Sequence, residues 1–242
     1  MIMGGMPPGQ TNLKHSHRFR ESDGSDDGCH EGIGLTVEND RSTLLIMITS
    51  ARQSATESPQ TVRAKLLAVT EQLIYSGGIH ATGMDRIVRE SGVARKSIYR
   101  YFPTKEALVA EALRERDERW MRWLVSECEA APPGPPRLQA IFEALADWFA
   151  RDDFNGCAFI NAAGEVAAGP IHDVARAHKR RLRDYLCSVL AECGVADVET
   201  VAADLSILID GAITSARVGG DSRAAERAAR MARLLIQDSD VL

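Results

Sequence analysis

Apolar side chains recur at the 3.6-residue period of an α-helix through most of the chain beyond residue 57. The first such stretch opens at Ser58-Pro59, where serine suits an N-cap and proline the first turn, and ends at Gly77-Gly78, where a left-handed C-cap needs glycine. The periodic positions are Val62, Leu66, Val69, Leu73 and Ile74. This pattern predicts the first helix.

A second and a third helix are predicted on either side of Gly92-Val93. Thr82 with Asp85 has the spacing of a capping box and predicts a helix that ends before Gly92. Residues 94–102 then predict a short helix, which turns Ile98 and Phe102 inward. Two helices joined by such a tight turn have the form of a helix-turn-helix.

Six more helices are predicted after this unit. Thr104 is suited to cap a long fourth helix, and the proline-rich residues 131–136 break the chain after it. No strand-like alternation is found, so the pattern predicts an all-α fold of about nine helices. The last five predicted helices contain residues 141–149, 157–166, 171–190, 198–218 and 224–236.

Residues 1–57 carry no sustained apolar period and are rich in Gly, Ser, Asp, His and Pro. We expect them to be a disordered extension with one short extended stretch at residues 44–48. The start lacks the basic and apolar regions of a secretory leader, so we expect no export. A separate hypothesis is that translation begins at Met47, and the alternative is that these residues are a flexible arm that touches DNA.

The composition fits a soluble globular protein. Hydrophobic residues make up 45% and charged residues 26%, and no run approaches the roughly 18 apolar residues that a membrane span needs. The five cysteines form no CxxC pair, which argues against structural zinc and a disulfide framework. We expect a cytoplasmic protein without a metal or other cofactor.

Charge is distributed unevenly along the chain. The net charge is −5, yet residues 58–107 hold eight Lys or Arg against four Asp or Glu. That segment therefore carries +4 and the remainder −9. A basic module joined to an acidic one predicts that the first binds a polyanion. Arg95, Lys96, Ser97 and Arg100 lie on the outer side of the predicted third helix, where donors can reach base edges in the major groove.

The segment ATGMDRIVRESGVARKSIYRYFPTKEALV, residues 81–109, resembles the DNA-binding signature of the tetracycline-repressor (TetR) family. The matching residues are Thr82, Gly92, Val93, Tyr99, Tyr101, Phe102, Lys105 and Glu106. The resemblance implies a helix-turn-helix domain at residues 58–105, a ligand-binding and dimerisation domain at 106–237 and a tail at 238–242. It also implies a transcription regulator rather than an enzyme, so no catalytic residue is predicted.

The expected DNA contacts come from the second and third helices and the start of the fourth. Because of three departures from the family pattern, Gly83, Ala94 and Lys96, the operator sequence of relatives does not carry over to this chain. Ala94 stands where a capping serine is usual, so a backbone amide lacks its side-chain acceptor. The predicted DNA-binding residues are Thr82, Ala94, Arg95, Lys96, Ser97, Tyr99, Arg100, Tyr101 and Lys105. Tyr99 is expected to turn its ring inward and its hydroxyl toward a phosphate.

Aromatic residues gather in the helices that frame the ligand cavity of relatives. The predicted ligand contacts are Trp120, Trp123, Phe142, Trp148, Phe149, Phe159, Asn161 and His172, with Glu165 as a further polar anchor. Cys157 is predicted to be a buried packing thiol. Two alternatives give it chemistry: a redox-responsive regulator, and a Cys hydrolase that uses His172 or His178, both otherwise expected on the surface.

The last two predicted helices present apolar positions that a second copy would cover. Two copies would close a four-helix bundle by two-fold symmetry and present paired reading helices to a palindromic operator. These positions are Val201, Leu205, Leu208, Ile209, Ala212, Ile213, Ala216, Ala228, Met231, Leu234 and Leu235. The sequence thus predicts a homodimeric repressor that a small molecule releases from DNA. The remaining alternative is a helix-turn-helix regulator that binds no small molecule and is controlled by a protein partner.

Overall fold

The computed structural model describes the backbone of residues 58–239 and the side chains as far as residue 237. The predicted N-terminal extension and the last three residues of the predicted tail lie outside this range. Within it the structure consists of helices and connecting turns, with no strand. The helices are α1 (Pro59–Gly77), α2 (Met84–Ser91), α3 (Arg95–Tyr101), α4 (Lys105–Glu129), α5 (Pro135–Phe149), α6 (Ala158–Glu165), α7 (Pro170–Glu192), α8 (Val198–Gly219) and α9 (Ala224–Ser239).

Several predicted helix ends are confirmed. Gly92 ends α2 in the left-handed conformation at φ 67°, where its amide donates to Val88 O. Thr104 caps α4 by accepting a hydrogen bond from the Ala107 amide at 3.1 Å. Pro135 and Pro170 lie in the first turns of α5 and α7, where proline's missing amide proton costs no helical hydrogen bond.

The predicted capping box at Thr82 is wrong. Gly83 is the N-cap of α2 and has no side chain to offer. Thr82 is fully buried instead, and its hydroxyl donates to Gly78 O at 2.7 Å. The threonine therefore ties the start of α2 to the end of α1.

Two hydrophobic cores share α4. The smaller core joins α1, α2 and α3 to Leu108 and Ala112 of α4, and we call this unit, residues 59–112, the reading head. The larger core includes Val109 and Leu113 of the same helix together with buried side chains from α5 to α9. Because α4 faces both cores, a displacement of this helix reaches both of them.

Helix α4 is the central element of the larger unit. It packs against α1, α5 and α7, while α8 packs against α7 and α9. A buried ion pair joins α1 to α4, with Arg116 donating to Glu71 at 2.7 Å and its guanidinium lying 4.0 Å from the ring centre of Tyr75. Arg119 binds the second oxygen of the same carboxylate.

Candidate functional site

The inner side of α3 is held tightly against the reading head. Ile98 is fully buried, and Val93 and Phe102 at either end are nearly so. Because these side chains lock the helix in place, its opposite side faces solvent, where Arg95, Lys96 and Arg100 are exposed. This exposed basic side is the candidate DNA-reading face.

The remaining predicted DNA-binding residues differ in how exposed they are to solvent. Ala94 is exposed, whereas Ser97, Tyr101 and Lys105 are half-buried. Tyr99 is 43% exposed, so the expectation of an inward ring is wrong, and Tyr101 is the tyrosine that packs on the small core. Contact of Thr82 with DNA stays a prediction, although its hydroxyl proton is already engaged.

Two of the predicted DNA-contacting cations already have partners within the protein. Arg95 pairs with the exposed carboxylate of Asp85 on α2. Lys105 donates from Nζ to Ile79 O at 2.6 Å, which fixes the turn after α1. Within residues 58–239, Lys96 has no ion-pair partner, so its charge is available to a phosphate or a base.

Glu165, at the end of α6, clamps the reading head to the rest of the protein. Its Oε1 accepts a hydrogen bond from the Ile79 amide, and its Oε2 accepts one from the His80 amide, both at 2.8 Å. Burial raises the pKa of this carboxyl, but the two amides and the His80 side chain outweigh burial and lower it. Glu165, predicted as a ligand anchor, therefore joins two parts of the fold.

Gly78 allows this clamp to form. Its φ of 87° lies in the left-handed region, and a Cβ there would meet Glu165 Oε1 at 3.0 Å. Any other residue at this position would be strained and would push the carboxylate away.

A second clamp joins α1 to the segment that leads into α6. The Tyr75 hydroxyl donates to Gly156 O at 3.0 Å and accepts from the Asn155 amide at 2.8 Å. The Asn155 side chain in turn bonds Tyr75 O and accepts from Arg217 of α8. The chain before α6 and the helix itself are thus both fastened to the end of α1.

A small aromatic cavity lies beside the N-terminus of α6. Its walls include three of the predicted ligand contacts, Trp120, Trp148 and Phe159. The cavity measures about 290 Å³ including its mouth, and its interior has room for about one water molecule.

The other predicted ligand contacts lie elsewhere. Phe142 lines a larger cleft between α5 and α9, of about 600 Å³. Asn161 is exposed and donates to Asn155 O at 2.9 Å. Trp123, Phe149 and His172 are half-buried and are not among the residues that line either space. Their contact with a ligand stays a prediction.

Cys157 and His178 meet in the wall of the aromatic cavity. Cys157 is buried as predicted, but His178, expected on the surface, is 2% exposed. Its Nδ1 lies 2.7 Å from Asp117 Oδ1, and its ring stacks on Phe159 at 3.8 Å between centres. Asp117 also accepts a hydrogen bond from Arg181 at 2.6 Å.

The surroundings of Cys157 and His178 shift the pKa values of both side chains toward their charged forms. Burial raises the pKa of the Cys157 thiol, but the hydrogen bond with His178 and the charge of Lys179 outweigh it and lower the pKa to about 7. Burial lowers the pKa of His178, but its bonds to Asp117 and Cys157 raise it overall. Both shifts therefore favour the charged form of each side chain over its form in water, a thiolate for Cys157 and an imidazolium for His178.

The sequence suggested Cys157 with His178 only as a hydrolase pair, and it gave no sign that Asp117 joins them, because the three residues are far apart in the chain. Asp117 and His178 are 61 residues apart and come from α4 and α7. The helical period places Asp117 on the same side of α4 as Trp120 and Leu124. A carboxylate among apolar positions was the only sign in the sequence that Asp117 is buried beside a partner.

Comparison with known proteins agrees with the fold and the exposed basic helix. Residues 66–112 match the family model "Bacterial regulatory proteins, tetR family", and residues 134–232 match "Tetracyclin repressor-like, C-terminal domain". Together the two matches cover more than half of the chain. The chain belongs to the TetR family.

Three transcriptional regulators are similar to this chain over most of their own length. The HTH-type transcriptional regulator LmrA of Bacillus subtilis is 27% identical over 62% of this chain and 84% of its own. The regulator YjdC of Escherichia coli is 23% identical over 72% of this chain and 93% of its own. A TetR-family regulator from Streptomyces coelicolor has a solved structure that superposes with a TM-score of 0.68, at 28% identity over 74% of this chain and 95% of its own.

Membership of the TetR family makes this chain a DNA-binding transcriptional regulator and not an enzyme. Across residues 58–239, the helices are all too short or too polar to cross a membrane.

Proposed function

We propose that this TetR-family protein is a cytoplasmic, homodimeric repressor that binds a palindromic operator and leaves it when a small molecule occupies the C-terminal unit. The observation that carries the DNA-binding half is the exposed side of α3. Its inner side is fixed in the core, so Arg95, Lys96 and Arg100 are presented in a constant geometry. A rigid helix with exposed cations suits the major groove.

The homodimer is supported by an apolar face on α8 and α9. Ile207 and Val218 are 71% and 81% exposed in the single chain, and Met231 and Leu234 are about half exposed. Residues 207 and 218 are eleven positions apart and therefore share one side of α8. A second copy would cover this face and bring two reading heads to one duplex.

The predicted dimer positions need correction. Val201, Leu205, Ile209, Ala212 and Ile213 are buried within the single chain, and so is Ala228. The helical period alone does not tell the side of α8 that packs on α7 from the side that faces outward. Ile207 and Val218, which face outward, were not among the predicted positions.

Release by a ligand is supported by the position of the aromatic cavity. Cys157 and Phe159, which line it, belong to the start of α6, and Glu165 at the end of the same helix holds the reading head. The cavity is nearly filled in this conformation, so a ligand larger than water must displace its walls. A ligand that prefers the displaced conformation lowers DNA affinity by that preference.

Selection of bound sequences from a random duplex pool tests the proposal. The purified full chain is used at two salt concentrations, together with Arg95→Ala and with Arg122→Ala, an exposed arginine of α4 outside the reading head. We expect an inverted repeat whose preference relaxes in Arg95→Ala and not in Arg122→Ala. Failure to enrich any sequence at either salt would overturn the operator-binding role.

A further inference from the structure

The aromatic cavity contains a nucleophile that DNA binding does not use. The hydrogen bond with His178 and the charge of Lys179 act on a thiol that is 5% exposed and would otherwise be kept neutral by burial. Nδ1 of His178 is engaged by Asp117, which leaves Nε2 for the thiol. Because Cys157 and His178 line the same cavity, the imidazole is near enough to the thiol to be its candidate proton donor.

Trp120, which lines the same cavity, carries a buried hydrogen-bond donor without a partner in the part of the chain that the structure describes. Trp120 is 4% exposed and lines the cavity with Cys157, and its ring centre lies 5.1 Å from that of His178. The donor is its indole Nε1. Leaving a buried donor unpaired is costly, so such a group commonly marks a place where a small polar molecule binds.

The size of the cavity favours a small reactant. The whole space, including its mouth, is about 290 Å³, and its interior has room for about one water molecule. Hydrogen peroxide is of this size and carries oxygen atoms that an N–H group can bind. Aromatic or lipid-derived electrophiles are too large to enter this conformation.

From this geometry we infer that Cys157 is a peroxide-reactive site, in which Trp120 Nε1 donates to the bound peroxide and His178 serves as the proton donor. The thiolate sulfur attacks one peroxide oxygen, so that an S–O bond forms and the O–O bond breaks. Sulfur loses two electrons and the peroxide gains them. The departing hydroxide takes the Nε2 proton of the imidazolium and leaves as water, and Cys157 becomes a sulfenic acid.

Oxidation changes both the charge and the volume at the start of α6. The thiolate and the imidazolium become neutral, so His178 loses its charge attraction to Asp117. The added oxygen must fit where there is room for about one water molecule. Cys157 is the N-cap of α6, and Glu165 ends that helix on the Ile79 and His80 amides. Displacement of α6 therefore loosens the reading head, a consequence that rests on the proposed function.

Peptide mapping of the full chain tests the chemistry without DNA. The reduced protein, in a Cys29→Ser background, is treated at pH 7 with less than one equivalent of hydrogen peroxide, and sulfenic acid is trapped with dimedone. Cys187 and Cys193 are internal controls, because both are more exposed and their pKa values are raised by burial and nearby carboxylates. We expect Cys157 to be labelled at least tenfold faster. Faster labelling of either control would overturn the site.

Two variants separate the roles of the neighbours. His178→Gln should move the pH profile of the oxidation rate to higher pH, because the thiolate loses its charged partner. Trp120→Phe keeps an aromatic ring but removes the N–H group, and should slow oxidation about tenfold with the pH profile unchanged. Cys187→Ser should match the parent protein. Equal rates and pH profiles in all variants would overturn the assigned roles, and labelling of the parent protein decides the site even where a variant fails to fold.

The regulatory consequence is measured on the duplex that the reduced protein selects. Peroxide should weaken binding by the parent protein at least tenfold and leave Cys157→Ser unchanged. Unchanged binding by a fully sulfenylated protein would overturn the coupling through α6. Failure of the reduced protein to select any sequence would overturn the proposed repressor, while the labelling experiment would still decide the thiol site.

Discussion

At the residue scale, the carboxylate of Asp85 weakens the candidate DNA-reading face by pairing with one of its cations, Arg95. Arg95 of α3 pairs with Asp85 of α2, and the Asp85 side chain is 93% exposed. A carboxylate at this position has two effects on DNA binding: it competes for the guanidinium and it repels phosphates. Exposed pairs of this kind are weak, so DNA can break the pair at small cost.

Asp85→Asn should therefore raise affinity for DNA. Removing the charge frees Arg95 and lessens repulsion, and we expect roughly threefold to tenfold tighter binding to an arbitrary duplex at low salt, with less gain at high salt. Fluorescence anisotropy across a salt series measures the change. Asp147→Asn, an exposed carboxylate of α5, alters net charge equally and should have little effect. Equal gains in the two variants would mean that net charge, and not the pair with Arg95, controls affinity.

The contrast between Cys157 and Thr104 shows what a sequence can predict at this scale. Thr104 acts through an amide three residues away, so a local pattern was enough to find it. Cys157 acquires its character from His178 and Lys179, which lie on another helix. Tertiary packing decides which side chains from different helices meet. A local pattern in the sequence therefore does not reveal the neighbours of Cys157.

At the scale of single elements, α3 lacks a side-chain cap. Ala94 occupies the N-cap position and offers no acceptor to the first-turn amides, as the sequence predicted. The cap of α4 shows what is missing, because Thr104 accepts a hydrogen bond at 3.1 Å there. The helix that carries the candidate DNA-reading face is thus held by its buried side chains and not by a side-chain cap.

Ala94→Ser should stabilise the protein by about 1 kcal/mol, since a serine oxygen at this position can accept from a first-turn amide. Urea denaturation measures the change, and the midpoint should rise with an unchanged slope. Ala94→Val enlarges the side chain without adding an acceptor and serves as the control. A stabilisation by valine equal to that by serine would show that packing, not capping, is responsible.

Glu165 gives α6 a pH-dependent hold on the reading head. The bonds to Ile79 and His80 lower its pKa in the folded state, so the folded protein binds this proton less readily than the unfolded chain does. The clamp therefore stabilises fully above the ordinary pKa of a glutamate, and its contribution is lost as pH falls through the folded-state value.

Glu165→Gln should be less stable than the parent protein at pH 7, with the difference shrinking steadily below about pH 4.3, the ordinary glutamate value. Denaturation curves for both proteins between pH 7 and the lowest pH at which they fold would show it. Glu143→Gln, an exposed glutamate of α5, should show no such trend. If the difference in unfolding free energy between the two proteins stayed constant across the whole pH range, the charge of Glu165 would not be what stabilises the parent protein.

At the scale of the whole molecule, the order of helices was more predictable than their outward faces. The apolar period, the glycine ends and the proline breaks predicted all nine described helices. The period does not distinguish contact within a chain from contact between chains. In α8 the predicted interface residues are mostly core, while Ile207 and Val218 face outward.

Leu234→Glu should convert the proposed dimer into monomers. Leu234 is 56% exposed in the single chain, so a glutamate there costs little on folding, yet it would bury a charge in an apolar dimer interface. We expect sedimentation to give the mass of one chain, circular dichroism to remain unchanged, and binding to the selected duplex to fall at least tenfold, because two linked heads bind far more tightly than one. Ile160→Glu makes the same change at an exposed apolar residue of α6 and should leave the dimer intact. A Leu234→Glu protein that still sediments as a dimer would place the interface on another surface.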